Sequence, residues 1–282
     1  MAPGKKYWDE RRSTTVAETI TGVVIARNEA HQLAACLASL AGVDALVVVD
    51  HASDDGTAEV AQAAGAQVLR LEGDLADLRT AGTRAAGTWV VALDADERLP
   101  AGGLQAIQAA IAARRPEISV FELPIATWLG PQRLRFGGYR PWRIRVYRAD
   151  AVTWPPARVH ERPVFQGLAA RLPVELTHHC YRDWGHVLEK TRRYAAWGAL
   201  SLQDAGRKRS TVAAAVRAAW RWLRVFCLQG GWLMGRVGLR LAGLQARGVW
   251  WRLRWSRQGV PAAAARSPAP VGFAREGVHL RN

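Results

Sequence analysis

Three largely apolar runs, at residues 21–26, 45–49 and 89–93, and a strand-like stretch at 67–71 alternate with stretches whose apolar side chains recur at helical spacing. Leu33, Cys36, Leu37 and Leu40 share one helix face, residues 75–86 form a second helical stretch closed by Gly87, and Leu104, Ile107 and Ile111 resume the period. Ser53, Asp54 and Thr57 stand as caps for a short helix that stops at Gly65. Largely apolar runs suit strands buried on both faces, and strands joined through helices of this length form a parallel sheet. The first hundred residues therefore predict an α/β half of the kind that binds nucleotides.

The ends of these strands are polar. Arg27-Asn28-Glu29 follows the first, the stretch from Asp50 to Thr57 follows the second, and Asp94-Ala95-Asp96-Glu97 follows the fourth. Open α/β sheets bind ligands outside the carboxyl ends of their strands, so the three clusters are expected to meet in one crevice. Two carboxylates one residue apart at a strand end offer the hard oxygen ligands that Mg²⁺ or Mn²⁺ takes when it also holds a diphosphate. Taken by itself the same motif is a solvated turn. After residue 118 the pattern changes to strand-like pieces broken at Pro124, Gly130-Pro131, Gly137-Gly138 and Pro155-Pro156. His160-Glu161 follows an arginine-bearing strand that holds Arg143 and Arg145; an ion pair of Glu161 with Arg140, Arg143 or Arg145 is its structural alternative.

From about residue 184 the chain reads as helical and strongly basic. Of the net charge of +15 over 282 residues, much lies between Asp204 and Glu276, where no acidic residue occurs. Arg217, Arg221 and Arg224 fall on one side of a helical wheel, with Ala219, Trp220, Leu223 and Phe226 across from them. Trp222, Trp232, Trp250, Trp251 and Trp255 add aromatics suited to a headgroup boundary, whereas Gly235, Gly238, Gly243 and Gly248 argue against one straight helix there. Such a surface fits a polyanionic partner, an anionic membrane before nucleic acid, since no nucleic-acid motif accompanies the charge. The alternative is that the tryptophans pack on the rest of the chain and the arginines face water. Three cysteines without a CxxC speak against a disulfide framework or a zinc site. No apolar core for a signal peptide and no uncharged run of about 18 residues is visible, which predicts a cytosolic chain that lies on a membrane.

The ordered set of motifs resembles the family 2 glycosyltransferases of GT-A fold. Those motifs are Asn28-Glu29, Val49 to Thr57, Leu93 to Glu97, Gly137 to Pro141, His160-Glu161, the 176–181 segment and Lys190 to Tyr194. More narrowly, it is similar to the bacterial lipopolysaccharide core β-1,4-glucosyltransferase group. The resemblance covers roughly residues 20–255. It implies a Rossmann-like mixed sheet covered by helices over residues 20–183, after a polar segment at 1–19. Composition and periodicity add a basic, Trp-rich helical accessory region at 184–258 and, at 259–282, an Ala/Pro/Arg tail without periodicity that is expected to be mobile.

The implied reaction is inverting, metal-dependent transfer of a hexose, glucose in that group, from a UDP-sugar to a lipopolysaccharide core or related glycan. It would run at the cytosolic face of the bacterial inner membrane. Arg27, Asn28, Glu29, Asp50, Arg79 and Asp94 would line the donor site; Asp94, Asp96 and His178 would hold Mg²⁺ or Mn²⁺. Glu161 would act as base with His160 beside it. Lys190, Arg192 and Arg193 would meet the donor diphosphate or an acidic acceptor, or form a solvated basic face. The chain departs from the family at Leu78-Arg79-Thr80, where an Arg-Asn pair is usual: Arg79 keeps the basic role and the Asn contact is missing. A nucleotidyltransferase remains an alternative, though Arg27-Asn28-Glu29 is not its Gly-rich basic loop; a non-catalytic basic binding module is another.

Overall fold

The computed structural model describes residues 18–155, 163–206 and 210–265, so most of the polar segment and of the tail lies outside the described residues. Its first half alternates β1 (Ile20–Ala26), α1 (Ala30–Ser39), β2 (Ala45–Asp50), α2 (Thr57–Ala63), β3 (Gln67–Arg70), α3 (Leu75–Arg84) and β4 (Trp89–Asp94). Then come β5 (Glu97–Arg98), α4 (Gly103–Ala112), β6 (Ile118–Leu129), β7 (Gln132–Arg133) and β8 (Trp142–Arg148). The strands β9 (Val152–Thr153), β10 (Val164–Phe165), β11 (Leu168–Arg171) and β12 (Leu176–Tyr181) complete the sheet region. Helices α5 (Trp184–Asp204), α6 (Thr211–Leu223), α7 (Gly235–Gln258) and α8 (Ala262–Ala265) follow, with a π-turn at Arg224–Leu228 and a 3₁₀ turn at Gly231–Met234 between α6 and α7.

Among the described residues, ten strands form one mixed sheet with the main order β3-β2-β1-β4-β8-β6-β12-β5. β1 runs parallel to β2 and β4, whereas β8 is antiparallel to both β4 and β6. Side-chain alternation divides the core between the two faces. Val24, Val48, Val91 and Leu93 pack with Leu33, Cys36 and Leu37 of α1 and with Leu104 and Ile107 of α4. Val23, Ile25, Val47, Val49, Val90 and Ala92 pack with Leu78 of α3 and Tyr147 of β8. Each leucine buried in this way contributes about 1.5–3 kcal/mol relative to exposure.

Three local expectations are corrected. Pro124 does not break the chain; it sits inside the twelve-residue β6. The N–H groups of Ile125 and Thr127 donate to carbonyls of Pro141 and Tyr139, so the imino nitrogen of Pro124 faces the other edge. There β11 pairs only as far as Glu122 and β12 begins at Ile125, so no ladder bond is lost.

The short second helix is not capped by Ser53, Asp54 or Thr57. Gly56, in the left-handed region at φ 85°, precedes it, and Thr57 is its first residue. The third correction concerns residues 235–258, which form one continuous helix despite their glycines. A methyl group at Gly238 would overlap the carbonyl oxygen of Gly231, and one at Gly248 would press on the Thr191 side chain. These glycines let α7 approach its neighbours closely.

The helical region packs on the sheet. Leu241 of α7 and Val187 of α5 are buried with Leu129 and Leu134 next to β6 and β7, and Tyr139, Trp184 and Met234 close over them. Gly137 N–H donates to the carbonyl of Gln229 at 2.8 Å, and Gln245 Nε2 donates to the Tyr139 hydroxyl at 2.8 Å.

Candidate active site

The loops after β1 and β2 are laced together. Asn28 and Ala52 adopt left-handed φ values of 54° and 49°. Asn28 N–H donates to Ser53 Oγ at 3.0 Å, and its side-chain oxygen accepts from Asp54 N–H at 3.1 Å. Glu29 N–H donates to Thr57 Oγ1 at 2.9 Å and Ala30 N–H to Asp55 Oδ2 at 3.1 Å. The Asp50 carboxylate is 0% exposed and accepts from the Ser53 N–H and hydroxyl, so it shapes the turn from inside. Asn28 likewise acts here as a clamp between loops. Arg27 Nη1 lies 3.3 Å from His51 Nδ1. Burial and the Arg27 charge hold His51 below the ordinary histidine value, so its neutral ring accepts that hydrogen bond.

At the end of β4 the carboxylates divide into two groups. Glu97, 0% exposed, is gripped by both arms of Arg145, with Nε to Oε2 at 2.8 Å and Nη2 to Oε1 at 2.6 Å. Arg145 Nη2 also donates to Asp94 Oδ2 at 2.8 Å, and Arg79 Nη2 donates to Asp94 Oδ1 at 3.2 Å. Burial works against the Asp94 charge, but Arg145 and Arg79 outweigh it and keep this carboxyl far below the usual range. Burial and the neighbouring Asp94 push Glu97 up, opposed by its Arg145 fork. Arg79 lies over the Trp154 ring at 5.1 Å.

Asp96 turns the other way. Its Oδ2 lies 3.1 Å from His178 Nε2, and its carbonyl accepts from His179 N–H at 2.8 Å. The pairing of β5 with β12, His178 opposite Glu97, brings the imidazole there. Burial opposes a charged His178, but the hydrogen bond and charge of Asp96 prevail and raise its pKa to about 11. Glu29 feels the charges of Asp96 and Lys190, so the first loop and Asp96 border the same crevice.

The expected trio of metal ligands is thus only partly assembled. Among the described residues no three His, Cys, Asp or Glu side chains converge as a cation cluster. Arg79 and Arg145 draw Asp94 away, while Asp96 and His178 stay together. The Asp96 carboxylate fits Mn²⁺ or Mg²⁺, which fills its remaining positions with phosphate oxygens and water, and His178 would join as a ligand to Mn²⁺ on giving up the proton it shares with Asp96. Each Asp94 oxygen accepts a bond from one arginine and retains a second lone pair, and the side chain is 36% exposed. It can still face a ribose or a metal-bound phosphate.

His160 and Glu161 lie outside the described residues. The flanking strands β9 and β10 pair with each other, and Trp154, just after β9, is the residue beneath Arg79. Among the described residues Arg140 donates to Glu175 at 2.5 Å, Arg143 donates to the carbonyl of Trp142, and Arg145 holds Asp94 and Glu97. Sequence reasoning missed Arg145 as the organiser of the acidic cluster. The signal for it was an arginine between Ile144 and Val146 in a strand, a position that must find a carboxylate when buried.

Parallel β-α units with loops laced at their carboxyl ends, an antiparallel β8 inserted beside β4, and an acidic turn after β4 define a GT-A fold. Residues 21–161 match the profile of glycosyl transferase family 2, and the chain belongs to that family. A TPR repeat-containing protein of Synechococcus elongatus is 42% identical over 80 residues, which are 27% of this chain. The chain spans about a fifth of that relative's length.

Similar solved structures include glucosyl-3-phosphoglycerate synthase from Mycobacterium tuberculosis in complex with Mn²⁺, UDP and glucosyl-3-phosphoglycerate. It shows 16% identity and a TM-score of 0.45, with 69% of this chain and 82% of that chain covered. The same enzyme with Mn²⁺, UDP and phosphoglyceric acid gives 21%, 0.35, 39% and 44% for these quantities. Mannosyl-3-phosphoglycerate synthase from Rubrobacter xylanophilus gives 22%, 0.35, 41% and 41%.

Proposed function

We propose that the protein is an inverting, divalent-metal-dependent hexosyltransferase. It takes a UDP-sugar, glucose being the first sugar to test, as donor. Its acceptor is the lipopolysaccharide core or a related cell-surface glycan at the cytosolic face of the bacterial inner membrane. The observation that carries this reading is the meeting of Asp96 with His178 beside the laced ends of β1 and β2.

The turn shaped by Asp50, together with Arg27 and Glu29, receives the nucleoside. Arg79 and Asp94 face the ribose and diphosphate, and Asp96 and His178 hold Mg²⁺ or Mn²⁺. The bound cation would supply charge neutralisation to the departing diphosphate. Glu161 takes the proton of the acceptor hydroxyl as its oxygen attacks the anomeric carbon, and His160 orients that group. The new glycosidic bond forms opposite the breaking bond to diphosphate, so an α-linked donor yields a β-linked product.

Membrane contact is supported by α6. Val212, Val216, Trp220 and Leu223 recur at helical spacing on one face, with Val216 62% and Trp220 54% exposed, while Arg217 and Arg224 flank them. Leu228, Trp232 and Leu233 are also exposed. Trp222, Trp250, Trp251 and Trp255 are half-buried, and Trp251 stacks on Trp255 at 5.5 Å. No described helix is long and apolar enough to cross a membrane.

The test is turnover of UDP-sugars with Mn²⁺ or Mg²⁺, then with EDTA. Metal-dependent sugar release, abolished by Glu161→Gln with UDP binding intact, is expected. Metal-independent turnover, or none with any nucleotide sugar, counts against the reading. Flotation with anionic but not neutral vesicles is expected, and equal behaviour with both sinks the membrane assignment.

A further inference from the structure

A second cleft, bordered by basic side chains, opens along β12 from His178. It has a volume of about 210 Å³ and lies between β12, α5, α6 and α7, lined by Tyr181, Lys190, Tyr194, Arg221, Gln245 and Arg252 among others. This is room for several water-sized groups. The cleft is built by close helix packing. Gly198 of α5 leaves the space that the stem of Arg252 occupies, and Gly248 of α7 lets α5 approach at Thr191.

Its two arginines have no carboxylate partner on their own helices. Lys190 Nζ donates to the carbonyl of Cys180 at 2.8 Å and to its Sγ at 3.9 Å, which leaves one of its three donors for another acceptor. Among the described residues no carboxylate pairs with Arg221 or Arg252, and neither α6 nor α7 contains an acidic residue. Burial, then the like charges of Arg221 and Arg217, press against the charge of Arg252. Cations held close together repel one another, and a phosphate between them relieves that repulsion through charge-assisted hydrogen bonds. Tyr181, Tyr194 and Gln245 add neutral donors around it.

The cleft also borders the transfer site. Lys190 Nζ holds the carbonyl of Cys180, two residues along β12 from His178. Cys180 and Tyr181 lie on the same strand as His178. An acceptor anchored here by an anionic group would present a neighbouring hydroxyl toward Asp96.

The geometry points to an acceptor subsite in which Lys190, Arg221 and Arg252 bind a phosphate group carried by the molecule that receives the sugar. This rests on the glycosyltransferase reading for the word acceptor, though the anion site itself does not.

The test uses the full chain and measures binding of inorganic phosphate, glucose 6-phosphate, and vesicles of phosphatidylcholine with or without phosphatidic acid. Each is repeated with UDP and Mn²⁺ present. Arg221→Gln/Arg252→Gln is compared with Arg135→Gln/Arg236→Gln, which removes the same charge from exposed positions outside the cleft. Phosphate binding should weaken about tenfold or more in the cleft pair and little in the control pair. Arg221→Lys/Arg252→Lys, folded by circular dichroism, should retain more binding than the glutamine pair.

Preference for glucose 6-phosphate identifies a soluble source, and preference for phosphatidate vesicles a lipid one; both support the site. Equal loss in the two glutamine pairs, no binding in any arm, or displacement of phosphate by UDP with Mn²⁺ overturns it. Failure of the unaltered chain to bind UDP with metal, while phosphate still binds, would instead remove the glycosyltransferase reading and leave the anion cleft standing.

Discussion

His178 Nε2 lies 3.1 Å from Asp96 Oδ2, although 82 residues separate them in the chain. The pair sits where β12 meets the short strand that follows the acidic turn. Asp96→Asn and His178→Ala should each weaken Mn²⁺-dependent UDP binding. Loss of several kcal/mol of charge stabilisation corresponds to a fall in turnover of about a hundredfold or more. Calorimetry of UDP with and without Mn²⁺ checks this, and unchanged binding in both variants refutes the metal assignment.

Arg145 is the second test. It joins Glu97 to Asp94 in a setting where Glu97 has no access to water. Removing one partner of a buried pair costs about 3–5 kcal/mol, because a charge is left uncompensated. Arg145→Leu should therefore lower stability by that amount in urea denaturation. Arg145→Leu/Glu97→Leu should recover part of it, although Asp94 still loses one of its arginines.

Two glycines of one helix should respond oppositely. Gly238→Ala drives a methyl into the Gly231 carbonyl and should destabilise the protein, whereas Gly243 meets nothing within 4 Å. Gly243→Ala should stabilise by about 0.5–1 kcal/mol through helix propensity. Paired thermal melts decide it; the same sign for both would show that the α7 contact is not as described.

The laced loops carry a pH dependence at Asp55. Burial raises its carboxyl, but hydrogen bonds from Thr57 and from Ala30 N–H outweigh this and hold it below its ordinary value of 3.8. The folded value being the lower one, this contribution is complete above about 3.8 and is lost as pH falls through the folded value. Asp55 is exposed, so Asp55→Ala should cost only a few tenths to about 1 kcal/mol, and the loss should vanish in acid. Carboxyl NMR titration follows the group directly.

The strands β1, β2 and β4 were legible because burial on both faces demands nearly continuous apolar residues. Their polar ends were legible for the same reason, since a run that stops at Asp50 or Asp94 marks where the sheet meets water. The pairings were not. Arg145 reaches Glu97 only because β8 inserts antiparallel beside β4, and His178 reaches Asp96 only through the β5–β12 register. Pro124 and the glycines of α7 misled because their meaning depends on neighbours distant in sequence. Pro124 falls in a gap between two partner strands, and Gly238 meets the turn at Gly231.

Leu241 shares a buried cluster with Leu129 and Leu134, and Gln229 receives the amide of Gly137. The catalytic sheet is therefore not separable from the helices that pack against it. A shortened version ending near residue 183 would present bare leucines where a wall had been. It should form inclusion bodies rather than a minimal enzyme, so an active fragment has to be sought by trimming beyond Gln258.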